Sequence, residues 1–145
     1  MKAEELLNKS ASQKLVDAIV EAEKNTSGEI RVHIESVCKE DPYLRAAYLF
    51  SKLDMFKTKE RNGILIYLAT KSRKFAIVGD SGINEKVGPA YWNSVKQDMQ
   101  DDFGKGEFLE GMTKAILSVG EKLKVYFPYR NDDVNELSNE ISYGK

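Results

Sequence analysis

Two hydrophobic periods alternate along this chain. Leu15, Ala18, Ile19 and Ala22 recur at i, i+3, i+4 and i+7, which predicts a helix from about Ser10, where Ser10 and Gln13 have capping-box spacing. Asn25-Thr26-Ser27-Gly28 ends it with turn chemistry. Ile30, Val32 and Ile34 then alternate with Glu29, Arg31, His33 and Glu35, so residues 29–37 predict a strand with one apolar face. Asp41-Pro42 supplies an N-cap and a first-turn proline, and Ala46, Leu49, Phe50 and Leu53 carry a helical stripe to about Met55. Residues 64–69 are an unbroken apolar run and residues 75–78 a second, with a polar loop between them; the pair predicts a hairpin. The first of these strands is apolar on both faces, as expected of a central strand covered on each side.

After Asp80, residues 81–88 predict a loop with at most a short helical turn. Gly88-Pro89 opens a third helix that places Trp92, Val95, Met99 and Phe103 on its core face. Gly104-Lys105-Gly106 breaks it. A fourth helix carries Phe108, Met112, Ala115, Ile116, Val119 and Leu123 on one face and ends near Phe127-Pro128. Residues 129–145 are poor in apolar side chains and predict a polar, mobile tail, in which Val134, Leu137 and Ile141 form a weak stripe that could engage a protein partner.

The order is therefore α-β-α-β-β-α-α. The helix between the first two strands implies a parallel pair and a right-handed crossover. The fold class is α/β, a three-layer α-β-α sandwich around a small mixed sheet. Residues 1–128 form a single domain followed by the tail, and a monomer is expected. With 145 residues the chain can bury a real core, and a net charge of −1 leaves nucleic acid no electrostatic footprint. No apolar run approaches membrane-spanning length, and the N-terminus lacks the core of a signal peptide, so a soluble, cytoplasmic protein with no membrane partner is expected. The single cysteine, Cys38, excludes an internal disulfide framework and reads as a small hydrophobe near a strand end. One histidine, His33, leaves no room for a multi-histidine zinc site, and no serine partner for it stands out.

Candidate chemistry follows from the topology. A parallel pair of strands and an antiparallel third bring Thr26-Ser27-Gly28-Glu29, Arg61-Asn62-Gly63 and Gly79-Asp80 to one end of the sheet, with Asn84 close after them. Asp98 and Asp102, i and i+4 on the third helix, flank its core stripe. Gathered carboxylates repel unless a cation or proton compensates, and hard oxygen ligands suit Ca2+ or Mg2+. One reading is therefore a divalent-cation site at an acidic sheet edge. The other is that Asp80 caps the following turn, Glu29 pairs with Arg31 or Arg61, and Asp98 and Asp102 form a solvated helix face.

The motifs Thr26-Ser27-Gly28-Glu29-Ile30, Arg61-Asn62-Gly63-Ile64-Leu65, Val78-Gly79-Asp80-Ser81-Gly82-Ile83 and Phe103-Gly104-Lys105-Gly106-Glu107-Phe108, in this order and spacing, resemble the TPM domain family, also called TPM phosphatase domains. The resemblance covers roughly residues 4–127 and is closest to small bacterial members. It implies an α/β sandwich, a divalent cation, Ca2+ first, at an acidic sheet edge, and a claimed acid phosphatase activity in some relatives. Carried over, the cation site falls on Asp80 and Asp98; Asp102 and Glu29 join them on the geometry above, with Arg61, Asn62, Gly79 and Asn84 lining the site. Asn84 stands near where many relatives have glutamate. A cation-binding or regulatory module is the leading expectation. A metal-assisted phosphatase, for which Arg61 is the one plausible phosphate clamp, and a ligand-free adaptor are the alternatives.

Overall fold

The computed structural model describes residues 8–129 and 141–144. Helix α1 (Lys9–Ala22) starts where the Asn8 side chain accepts the Ala11 N–H at 2.8 Å. Strand β1 (Glu29–Glu35) leads into α2 (Pro42–Lys52), capped by Asp41, and a 3-10 turn at Met55–Lys57. The hairpin β2 (Gly63–Ala69) and β3 (Lys74–Gly79) follows. Then come α3 (Ser81–Gly104), α4 (Phe108–Tyr126) and a short strand β4 (Ser142–Tyr143).

The sheet order is β3-β2-β1-β4, with β1 parallel to both β2 and β4 and β2 antiparallel to β3. Ile30, Val32, Ile34, Ile64, Ile66, Leu68 and Ile77 point to one face, where α1, α3 and α4 cover them. Leu65, Tyr67, Ala69, Ala76 and Val78 point to the other, against Ala46, Leu49 and Phe50 of α2 and Met55. This is the α-β-α sandwich expected. The all-apolar run of β2 is explained because both of its faces are roofed by helices and every residue of it is buried.

Three features depart from the sequence pattern. The stretch after Asp80 is helical from Ser81 onward: Asp80 caps it, and the break at Gly88 (φ 76°) is a kink between two helical segments, the second opening at Pro89. The polar face of β1 is not a solvent face, since Glu29, His33 and Glu35 are all buried. Of the tail, residues 130–140 and 145, and with them Val134 and Leu137, lie outside the described residues. Residues 141–144 do not hang free of the domain: they run along β1, pairing His33 with Ser142 and Ile34 with Tyr143, and Ile141 packs against the main core. Cys38 is buried, as a small hydrophobe should be.

The end of the sheet near Asp80 is closely packed. Gly82 donates its N–H to the Arg61 carbonyl at 2.8 Å, and a Cβ on Gly82 would stand 2.1 Å from the Glu60 carbonyl oxygen. Backbone cannot yield cheaply, so Gly82→Ala is expected to lose about 1–3 kcal/mol of stability by chemical denaturation. An unchanged denaturation midpoint would mean that the 58–62 turn is free to move away.

Candidate functional site

Local pairing brings the first group of candidates together. Glu29 lies beside Gly63 in the β1–β2 ladder, its N–H donating to the Asn62 carbonyl at 3.4 Å. The Asp80 N–H donates to the Gly63 carbonyl at 3.0 Å. Glu29, Arg61, Asn62 and Asp80 thus share one rim of the sheet. Arg61 sits there in the left-handed region (φ 54°), a backbone cost that the surrounding turn must hold in place.

At that rim the charge of Asp80 is matched within the chain. Arg61 grips Asp80 in a bidentate pair, Nε to Oδ2 and an Nη to Oδ1, both at 2.7 Å. Asp80 Oδ1 also accepts the Ser81 N–H at 2.7 Å. The pairing holds the Arg61 guanidinium above its ordinary pKa. Beside it, Asn62 donates to Ser27 Oγ at 3.2 Å and Ser27 donates to Glu60 at 2.7 Å. A cation at Asp80 would have to displace a guanidinium from both carboxylate oxygens. Asp80 therefore acts as a helix cap and an ion-pair partner.

The remaining candidates lie elsewhere. Gly79 and Asn84 border a cavity of about 340 Å3 between β3 and the kinked α3, where Asn84 donates to the Gly79 carbonyl and accepts from Trp92 Nε1. Asp98 and Asp102 border a separate cavity of about 370 Å3 between α3 and α4, together with Asp101, Lys105, Lys114 and Ser118. There the exposed Lys114 Nζ lies 3.5 Å from Oδ2 of the buried Asp102, a loose pair. As the side chains stand, no three His, Cys, Asp or Glu among the described residues are grouped to hold a metal ion.

One constellation was not foreseen. On the α2 side of β1, Glu35 accepts from Arg45 Nε and an Arg45 Nη, each at 2.9 Å, and from the Tyr67 hydroxyl. His33 Nε2 lies 3.2 Å from Glu35 Oε1, and His33 Nδ1 lies 2.9 Å from Ser142 Oγ. The His33 ring stacks on that of Tyr67 with centroids 5.9 Å apart. Burial pushes the Glu35 carboxyl up, but the bonds from Arg45, Tyr67 and His33 outweigh it and hold it down at about 2. Burial lowers the His33 pKa, and burial with the Glu35 bond raises that of Tyr67. A neutral His33 that donates from Nε2 to an acceptor-only carboxylate must accept at Nδ1 from Ser142. Sequence spacing shows Glu35 two residues from His33, but nothing local marks Ser142 as its partner.

Glu23, at the end of α1, accepts the Ile30 N–H at 2.7 Å, and burial, with the Glu29 charge adding to it, pushes its carboxyl up to about 7.

These groups set opposite pH limbs. Glu35 is depressed, so its contribution is full above about pH 4.5 and is lost as pH falls toward 2. Glu35→Gln is expected to remove about 3 kcal/mol near neutrality and to flatten the acid limb of stability against pH. Glu23 is raised, so its cost to folding grows as pH climbs from about 4.5 to 7. Glu23→Gln, measured by urea denaturation, is expected to be more favourable relative to the parent at pH 8 than at pH 5; equal effects at both would contradict a buried, proton-holding Glu23.

A family model described as TPM domain matches residues 1–122. Among solved structures, the NMR structure of the BA42 protein from the psychrophilic bacterium Bizionia argentinensis is 43% identical, covers 94% of each chain and superposes with a TM-score of 0.86. The N-terminal domain of the cg2496 protein from Corynebacterium glutamicum is 14% identical, with a TM-score of 0.65 over 89% of this chain and 80% of that one, a likeness of fold. No curated protein matches. With the family's pattern spanning most of the chain and a close structural counterpart over nearly all of it, this protein belongs to the TPM domain family.

Proposed function

We propose that this TPM domain is a binding module that takes up a divalent cation, Ca2+ before Mg2+, in the acidic groove between α3 and α4. The observation that carries this reading is the contrast between two sets of carboxylates. Asp80 is neutralised by a bidentate arginine. Asp98, Asp101 and Asp102 border one open cavity of about 370 Å3, where Lys114 pairs loosely with Asp102 at 3.5 Å and Gln97 donates to Asp101 at 2.9 Å.

Asp98 and Asp101 are both exposed, so both side chains can turn inward when an ion arrives. Ca2+ tolerates irregular oxygen shells and Mg2+ keeps several waters, so a few carboxylates completed by solvent suffice for either. When bound, the ion would relieve the repulsion among the three aspartates and tie the last turns of α3 to α4. The acidic set thus sits where two helices could be drawn together, which suits a regulatory role.

A hydrolase reading has less behind it. Arg61, the candidate phosphate clamp, already spends its fork on Asp80. Among the described residues, no helix is long and apolar enough to cross a membrane.

Calcium titration followed by amide NMR shifts is expected to give saturable movement at residues 98–102 and 114–118. The double variant Asp98→Asn, Asp101→Asn is expected to bind about tenfold or more weakly. Shifts centred on residues 61–63 and 80–82, or none that saturate, would contradict the groove. Metal-dependent hydrolysis of p-nitrophenyl phosphate that disappears in Asp80→Asn would replace the binding reading with the enzymatic one.

A further inference from the structure

We infer that the cavity at the open edge of β3 is a binding site for a small ring-bearing carboxylic acid, its ring laid between Tyr43 and Trp92 and its carboxylate set against Lys96. This cavity is separate from the α3–α4 groove, and the acid needs no cation to bind there. Helix α2 lies on one face of the sheet and α3 on the other. A single cavity bordered by Tyr43 of α2 and Trp92 of α3 therefore wraps the edge of β3, the outermost strand. At about 340 Å3 it has the size of small-molecule sites, which are walled by apolar and aromatic side chains and hold few polar groups. Here Ile77, Pro89 and the two rings form the walls, and Lys96 is the one charged group among the described residues that border it.

The walls are fixed before a ligand arrives. Trp92 Nε1 donates to Asn84 Oδ1 at 2.8 Å, and Asn84 donates to the Gly79 carbonyl at 2.7 Å, which pins the indole to the end of β3. Only glycine at position 79 lets the ring lie so close, since a Cβ there would stand 2.6 Å from Trp92 Cζ2. At the kink, a Cβ on Gly88 would meet nothing within 4 Å, so the space beside Pro89 is clear. A wall already ordered spares the ligand part of the cost of binding. The charge is uncommitted as well. Lys96 Nζ stands 5.8 Å from the centroid of the Tyr43 ring, and no carboxylate among the described residues pairs with it. Asp41, beside Tyr43, is engaged as the cap of α2. One ammonium over an aromatic wall matches one carboxylate on a ring, whereas a phosphate dianion would keep a charge unmatched. The main chain adds polar groups of its own. Asp80 donates to the Gly63 carbonyl, so by the alternation of an antiparallel pair the N–H and C=O of Ile77 face away from β2, toward the open edge.

Trp92 is the single tryptophan, so its indole N–H can be followed without overlap. The test uses the full chain, 15N-labelled and free of calcium, with phenylacetate as probe. At about millimolar concentration phenylacetate is expected to move the Trp92 indole signal and the amides of Ile77 and Gly88 saturably. Phenylacetamide, of the same shape without the charge, is expected to bind about fivefold or more weakly. Lys96→Gln is expected to bind the acid and the amide equally. Should that variant not fold, the comparison of acid with amide on the parent decides alone. No saturable movement at Trp92, equal binding of acid and amide by the parent, or an unchanged preference in Lys96→Gln overturns the proposal. Tighter binding of phenyl phosphate than of phenylacetate overturns the carboxylate in favour of a phosphate.

Discussion

The structure turns on one buried carboxylate. Glu35 sits at the end of β1 with 3% of its surface exposed, and an ion so placed is tolerated only if its oxygens are fully bonded. Arg45 from α2, Tyr67 from β2 and His33 from β1 each supply a donor. That requirement fixes how the crossover helix lies on the sheet, because Arg45 must reach Glu35 while Ala46, Leu49 and Phe50 face the apolar half of the same surface. It also sets which nitrogen of His33 is left to face β4. One charge thereby links four elements, and the price of removing any donor is a carboxylate stranded in the core.

The two faces of the sheet are built on different principles. The face under α1, α3 and α4 is held by apolar packing, with Ile, Val and Leu from three strands against three helices. The α2 face combines a smaller apolar cluster with the charged row of β1. At the rim the same economy recurs: Asp80 caps α3 and pairs with Arg61, so one side chain fastens the helix start to the turn before β2. Carboxylates that hold the fold are consumed in this way. Those of the α3–α4 groove are less committed, with Asp98 and Asp101 exposed and Asp102 only loosely paired to Lys114.

Much of this was legible in the sequence, and the failures have identifiable causes. Helices α1, α2 and α4, strands β1 to β3 and the parallel crossover follow from period, caps and turn residues, and the meeting of Glu29, Asn62 and Asp80 follows from topology. The alternation of β1 was read as apolar-in, polar-out because a strand cannot announce that an arginine ten residues later will cover its polar side. The loop after Asp80 concealed a helix because Gly82 and Gly88 lower local propensity, while the packing of Gly82 on the Arg61 carbonyl restores it. β4 left no signal, since two residues carry no period. Asp80 and Asp98 were grouped by family pattern, yet they border different places because α3 carries Asp98 away from the rim.

The buried network makes a sharp statement about a single atom. His33 is the only histidine, so its ring nitrogens can be followed without overlap by long-range 1H–15N correlation across pH. A neutral ring protonated on Nε2 is expected, with a titration midpoint below the ordinary 6.5. A midpoint at or above 6.5, or a proton found on Nδ1 at neutral pH, would contradict it.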